Sequence, residues 1–322
     1  METKEFTYKK GNEGENLLAD VHWRRGSPET KTRRGHPIVL VFHRGGFVLG
    51  SKSIIPLPQL SALTKLGFLV VVPNYHLCPQ IGVFDGPMTD LRDCLIWAVT
   101  ELPALLEKED GVGDDDFKVD ARTVITMGHS AGGGHPSPSL PVPITAVLDF
   151  YGGKYYSDPS WHSPNPLYVN APQTWPDDDD DEYINRIYDG PQVSSADHYL
   201  GKETPPPTRD AWLTAQLKRG TWLAQVVKDG DFDRVDAAKG FRAEFPPTMF
   251  VHGTGNTFTE SRISERAHAE LKSLGVETEL LLVPGVQHMF DMLLKEEDDI
   301  FKDYVLRGFK FLAEKAGLQS QE

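Results

Sequence analysis

Met127-Gly128-His129-Ser130-Ala131-Gly132-Gly133 follows the β-branched run Val124-Ile125-Thr126 and contains Gly-x-Ser-x-Gly. After a strand this pattern reads as a nucleophile elbow. The turn is so sharp that the serine backbone is strained, and small residues two before and two after Ser130 keep it free of clashes. The serine oxygen then stands at the carboxyl end of a strand. The Ala131 amide points to where a carbonyl oxygen would gain charge. Acyl transfer through serine also needs a base, an orienting acid and oxyanion donors. The base candidate is His288, in Pro284-Gly285-Val286-Gln287-His288-Met289-Phe290, which follows the last strand-like run. A loop histidine is more often plain surface, and it is the place in the chain that singles this one out. The oxyanion candidates are Gly45 and Gly46, after a strand ending at Phe42. A Gly-Gly pair alone is an ordinary turn, but here it sits between His43 and Phe47-Val48-Leu49-Gly50.

These residues need a scaffold. Leu17–Trp23 alternates as an early strand, and Pro37–Phe42, Phe68–Pro73, Val124–Met127, Ile144–Phe150, Thr248–His252 and Thr278–Val283 are apolar runs. Runs without alternation suit strands buried on both faces. Helical spacing covers Leu60–Leu66, Thr89–Leu106, Ile263–Leu274 and Ile300–Ala316. Strands alternating with helices predict an α/β architecture, a mostly parallel central sheet flanked by helices. Residues 153–240 lack a strand of the sheet type and are helical around Arg209–Val227. They are expected to be a cap inserted into a single domain whose core is about 1–152 and 241–322. Trp161, Trp175, Tyr183, Tyr188, Tyr199, Trp212 and Trp222 either line a pocket there or, more commonly for aromatics, pack the insertion on the core.

The chain has 322 residues and a formal net charge of −14, with much of the excess acid in the run Asp177–Glu182. That balance argues against nucleic-acid binding and against anionic membrane surfaces. An acidic run of this kind is usually a solvated loop. The two cysteines, Cys78 and Cys94, make neither a disulfide framework nor a zinc site. The charged start of the chain does not read as a signal peptide, and no stretch of about 20 apolar residues occurs. The expectation is a cytoplasmic protein with a small-molecule substrate, no nucleic-acid or membrane partner and a homodimer left open. No cofactor and no metal are expected.

Together these segments resemble the α/β-hydrolase superfamily, in particular its hormone-sensitive-lipase-like carboxylesterases (fold-3 type) and their fungal relatives. His43-Arg44-Gly45-Gly46-Phe47 is similar to the family's His-Gly-Gly-Gly oxyanion motif, and Asn74-Tyr75-His76-Leu77-Cys78-Pro79 to its Tyr-Arg-Leu-x-Pro segment. Gly128–Gly132 matches its elbow, His252-Gly253-Thr254-Gly255-Asn256 falls where it has His-Gly-x-x-Asp, and Gly285–Asp291 is similar to its His-Gly-Phe segment. The resemblance runs from about Thr7 to Leu312 and is weakest in the cap. It implies an α/β-hydrolase fold and a carboxylesterase acting on a small or medium ester or lactone, set in fungal natural-product chemistry. Ser130 would attack, His288 carry the proton, and Gly45, Gly46 and Ala131 hold the oxyanion.

Three departures shape the alternatives. Arg44 replaces the first glycine of the oxyanion motif and brings a permanent charge that could bind a substrate carboxylate. Asn256 stands where the triad acid belongs; an amide can orient a ring but supplies no charge. Glu260, four residues on, is a substitute if its side chain swings back, and Asp291 ranks below it. Finally, Gly132–Pro143 holds three glycines and four prolines, which cannot sustain a helix interior. The helix after the elbow is therefore expected to be truncated to a single turn. Two readings besides hydrolysis follow: a non-hydrolytic cyclisation, condensation or elimination with His288 as simple base, or a catalytically impaired ligand-binding homologue.

Overall fold

Apolar runs without alternation have to bury both of their faces, and they do. Every residue of His36–Phe42, Leu69–Pro73, Ala146–Phe150 and Thr248–Gly253 is buried. The computed structural model describes residues 1–11, 13–25, 35–109, 117–133, 142–169, 181–198 and 207–318. Its strands are β1 (Glu2–Lys10), β2 (Asn16–Trp23), β3 (His36–Phe42), β4 (Leu69–Pro73), β5 (Val119–His129), β6 (Ala146–Phe150), β7 (Thr248–Gly253) and β8 (Thr278–Val283). They form one eight-stranded sheet in the order β1-β2-β4-β3-β5-β6-β7-β8. The pairs β1–β2 and β2–β4 are antiparallel and all the others parallel.

Successive side chains of a strand point to opposite faces. Val39, Val41, Val70, Val72, Ile125 and Met127 meet the helices Leu57–Lys65 and Leu306–Lys315 on one face, through Leu60, Leu63, Phe309 and Leu312. Ile38, Leu40, Leu69, Val71 and Val124 meet the helix Thr89–Thr100 on the other, through Leu91, Leu95 and Ala98. The expected helix over 89–106 is two, broken at Glu101, because Pro103 fits only a first turn and restarts the chain as Leu102–Glu107.

β1 is an element that the sequence reading does not contain. Its burial alternates, with Phe6 and Tyr8 on the inward side. Thr3, Glu5 and Thr7 fill the outward side of this edge strand, and Glu2 and Lys4 share the inward side with the two aromatics, so no apolar run announces it.

After the elbow the chain makes one tight turn, Ser130–Gly132, and the rest of the Gly-Pro segment lies outside the described residues until Val142. Val142 and Ile144 return against the second face. On that same face of β6, Asp149 pairs with Lys154 at 2.7 Å, both buried, and the ammonium lies 5.2 Å over the Phe250 ring. A paired, hydrogen-bonded charge is tolerable there where a lone one would not be.

Between β6 and β7 the described residues form short helices, including Asp181–Asn185, Thr208–Arg219 and Trp222–Val226, and add no strand to the sheet. Trp161, Trp212, Leu213, Trp222 and Leu223 from this insertion pack on Phe47, Val48, Leu49 and Ala131. Most of its described aromatics thus serve packing. Trp175 and Tyr199, and the acidic run up to Asp180, lie outside the described residues. Cys78 and Cys94 are free and buried. Among the described residues no helix is long and apolar enough to cross a membrane, and no His/Cys/Asp/Glu group is arranged to hold a metal ion.

Candidate active site

β5 delivers Ser130 at its carboxyl end with φ 54°, a left-handed backbone that a non-glycine residue adopts only under constraint. The neighbours enforce it. A Cβ at Gly128 would stand 2.1 Å from the Gly132 carbonyl oxygen, and one at Gly132 would stand 2.5 Å from that of Phe42. Both positions therefore exclude any side chain.

β3 ends at Phe42 and turns through Gly45 (φ 126°), Gly46 (φ 61°) and Phe47 (φ 63°). The Gly45 carbonyl closes the turn by accepting from Val48 and Leu49 at 3.0 and 2.9 Å. A Cβ at Gly45 would meet the Leu49 carbonyl oxygen at 1.9 Å. The N–H groups of Gly45 and Gly46 make no hydrogen bond to another described residue. The Gly46 carbonyl accepts from the Trp222 indole at 2.9 Å, which ties the insertion to this turn. His43 holds the turn from below: its ring stacks on Tyr75 at 4.0 Å, and the Tyr75 hydroxyl donates to its carbonyl at 2.9 Å.

His288 arrives on the turn after β8. Its Nε2 lies 2.9 Å from Ser130 Oγ and its Nδ1 lies 3.0 Å from Asn256 Nδ2. The imidazole also contacts the Tyr151 and Phe258 rings, at 4.7 and 4.6 Å. Burial pushes its pKa down to about 3, with His252 and Arg44 adding to the effect against Asp291.

The orientation of Asn256 decides what His288 can do. Its Oδ1 accepts from the backbone N–H groups of Phe258 and Thr259, both at 3.0 Å. The amide nitrogen must then face the two histidines. It donates to His288 Nδ1, so the His288 proton sits on Nε2, against Ser130 Oγ. That tautomer cannot take a proton from the serine. The same amide nitrogen is 3.1 Å from His252 Nε2, which itself lies 2.8 Å from the Thr259 carbonyl oxygen. A carbonyl only accepts, so His252 Nε2 carries a proton and confronts another donor. Flipping the amide would instead oppose its nitrogen to two backbone N–H groups. Position 256 faces donors on nearly every side, an environment matched to a carboxylate.

Glu260 corrects an expectation. It is exposed and pairs with Arg262, which also forks onto Asp158 at 2.7 and 2.8 Å, so it does not reach His288. Asp291 makes no hydrogen bond to His288 either. It is fully buried and accepts from Gln59 at 2.6 Å and from the Tyr151 hydroxyl, with His129 Nε2 at 3.1 Å. Burial alone would raise its pKa, but His129, Tyr151 and Gln59 outweigh that and hold it low. Tyr151 (φ 46°), His252 and Phe258 are site residues that sequence reasoning did not single out. The one available signal was the pair His252-Gly253 ahead of Asn256.

Arg44 is half-buried. Its Nη1 donates to the Ile54 carbonyl at 3.3 Å and lies 2.6 Å from the Met292 sulfur, while its buried Nε has no partner. Of the expected residues, then, Ser130, His288, Asn256, Gly45, Gly46 and Ala131 converge, Arg44 flanks them, and Glu260 stands apart.

The sheet order and the turn at Ser130 are those of an α/β-hydrolase fold, and residues 39–135 match a family model described as alpha/beta hydrolase fold. The chain is 30% identical, over 95% of its length, to the non-reducing polyketide synthase ausA of Penicillium brasilianum, of which it covers 14%. It is 28% identical over 92% of its length to the non-reducing polyketide synthase mapC' of Penicillium brevicompactum, covering 15%. The chain thus spans about one-seventh of the curated relatives it matches. Among solved structures it is similar to esterase 2 of Thermogutta terrifontis phosphonylated by sarin, with a TM-score of 0.65 at 15% identity, covering 99% of this chain and 97% of that one. A Staphylococcus aureus protein of unknown function gives a TM-score of 0.69 at 14% identity, covering 97% and 99%. At these identities the structures speak for the fold.

Proposed function

We propose that the chain is a serine hydrolase of the carboxylesterase type, acting on a small or medium ester or lactone. The observation that carries the reading is Ser130 Oγ held on a left-handed turn 2.9 Å from His288 Nε2. Ser130 attacks the acyl carbon, and the Gly45, Gly46 and Ala131 amides receive the developing oxyanion. His288 has to give up its resting tautomer to accept the serine proton, and Asn256 offers no charge to the imidazolium, so turnover is slow for this fold. Residues 153–240 act as the cap, with Trp222 bonded to the oxyanion turn. The similarity to polyketide synthases supports an acyl group of polyketide origin and a step in fungal natural-product chemistry.

Labelling with a fluorophosphonate probe tests this. Mass spectrometry should find the adduct on Ser130 and none in Ser130→Ala. A folded wild-type chain that takes no label rules the reading out.

The Asn256 amide favours a second reading. His288, with its proton on Nε2, hydrogen-bonds a substrate oxygen and polarises it, keeping the proton, in a cyclisation or elimination in which Ser130 forms no bond. Turnover kept in Ser130→Ala and lost in His288→Ala selects it.

A further inference from the structure

Arg44 has no role in the acyl-transfer scheme and no ion-pair partner among the described residues. A half-buried guanidinium usually satisfies its five N–H donors with carboxylates or carbonyls. Here one weak bond reaches the Ile54 carbonyl, a thioether faces Nη1, and Nε is buried without an acceptor. Asp291, whose charge acts on Arg44, makes no ion pair with it; it accepts from Gln59 and Tyr151 and lies 3.1 Å from His129 Nε2. The position also matters. Arg44 immediately precedes the Gly45–Gly46 turn and leans on Met292, in the turn that carries His288. It is therefore wedged between the two halves of the candidate site.

A second nitrogen nearby is in the same condition. His198 follows the Gly50–Ala196 bridge, which brings it beside the same turn, and its buried Nε2 also lacks a partner. Burial and then Arg44 push its pKa down to about 4, and Arg44 likewise depresses His288. Asp291 and Asp197 temper the positive field at this spot, but neither gives Arg44 Nε or His198 Nε2 a hydrogen-bond acceptor.

We propose that Arg44, with His198 beside it, is the seat of a carboxylate carried by the substrate, so that the site selects anionic esters. The inference rests on Ser130 being the nucleophile of an ester hydrolase. A bound carboxylate supplies the missing acceptor for Nε. It also offsets the Arg44 charge, which adds to burial and His252 in opposing protonation of His288, so an anionic substrate both binds better and strengthens the base. No bond is made or broken at Arg44.

The test compares p-nitrophenyl hemiglutarate with p-nitrophenyl pentanoate, and 4-carboxyphenyl with phenyl pentanoate, on wild type, Arg44→Gln and Arg44→Lys. A charge-assisted bond in this setting predicts a preference in kcat/KM of roughly 10- to 100-fold for the anionic member of one pair. The pair that shows it tells whether the carboxylate sits on the acyl or the alcohol side. The preference should fall to about one in Arg44→Gln and survive in part in Arg44→Lys, which keeps the charge and loses the fork. An anionic preference that Arg44→Gln leaves intact, or no preference in wild type, overturns the proposal. Calorimetry of monomethyl glutarate binding to Ser130→Ala and to Ser130→Ala/Arg44→Gln gives an answer that needs no turnover. At least tenfold weaker binding in the double variant supports Arg44 even if no ester is hydrolysed, and equal binding rejects it.

Discussion

Replacing Asn256 by aspartate should turn a slow site into a fast one. The reasoning starts from four contacts at that side chain: backbone N–H groups of Phe258 and Thr259 at 3.0 Å, His252 Nε2 at 3.1 Å and His288 Nδ1 at 3.0 Å. An amide offers acceptors to only half of them. A carboxylate accepts from all four, removes the clash of donors at His252, and draws the His288 proton to Nδ1. Nε2 then faces Ser130 Oγ with a free lone pair. When the serine attacks, the imidazolium is stabilised by a charge about 3 Å away. In a serine protease the opposite replacement costs about four orders of magnitude in turnover, which corresponds to roughly 5.5 kcal/mol. Asn256→Asp is expected to raise kcat/KM on a p-nitrophenyl ester by on the order of 10³ to 10⁴, the lower end if the site has adapted to the amide. The pH profile should change with it. His288 is held at about 3 by burial, so the wild-type profile lacks an acid limb above about pH 5. In the variant the carboxylate raises that pKa, and an acid limb should appear near neutrality. A folded Asn256→Asp protein with an unchanged rate and profile would refute the account of the tautomer.

Three further outcomes are expected. Ser130→Gly relieves a left-handed residue at φ 54°, worth about 1–3 kcal/mol, against about 0.5–1 kcal/mol for the freer unfolded chain; its Tm should rise while probe labelling disappears, and a lower Tm argues against strain. Gly45→Ala drives a Cβ to 1.9 Å from the Leu49 carbonyl oxygen and should cost at least about 2 kcal/mol in denaturant unfolding; an unaltered midpoint would show that the turn is soft. Burial holds His43 near 3 and His198 and His252 near 4, whereas in the unfolded chain each titrates near 6.5. Below about 6.5 the unfolded state thus binds protons that the folded state refuses, so Tm should fall as pH is lowered from 7 to 4. His76 opposes this, because Asp90 and Glu15 raise its pKa against burial, and its contribution is present below about 6.5 and lost above. A Tm independent of pH across that window contradicts the assignment.

The parallel core was legible because both-face burial writes itself as runs of Val, Ile and Leu in β3 and β4. β1 was not, because an edge strand can fill its outward face with polar residues such as Thr3, Glu5 and Thr7 and leave only Phe6 and Tyr8 as a trace. Ser130 and the two glycines were legible because each has a backbone requirement that local sequence must meet, and His288 because it follows the last strand. Asn256 was found by position, but its consequence was hidden. Which amide atom faces His288 is fixed by the Phe258 and Thr259 N–H groups, a turn geometry that no residue pattern declares. Glu260 was misjudged for a related reason: reach along the chain said nothing of Arg262, which claims its charge. Tyr151 and Asp291 meet through a hydrogen bond across 140 residues, beyond any motif.

The bond from the Trp222 indole to the Gly46 carbonyl couples two parts of the molecule that are usually considered apart. If the insertion lifts to admit a substrate, that bond breaks, and the glycine turn loses its brace at the moment the pocket opens. If the insertion settles on a bound acyl group, the brace returns and the two amides are stiffened for the oxyanion. Entry and electrophilic activation are then one mechanical event rather than two, and the indole, sitting at the joint, carries its own fluorescence as a gauge of which state the turn is in.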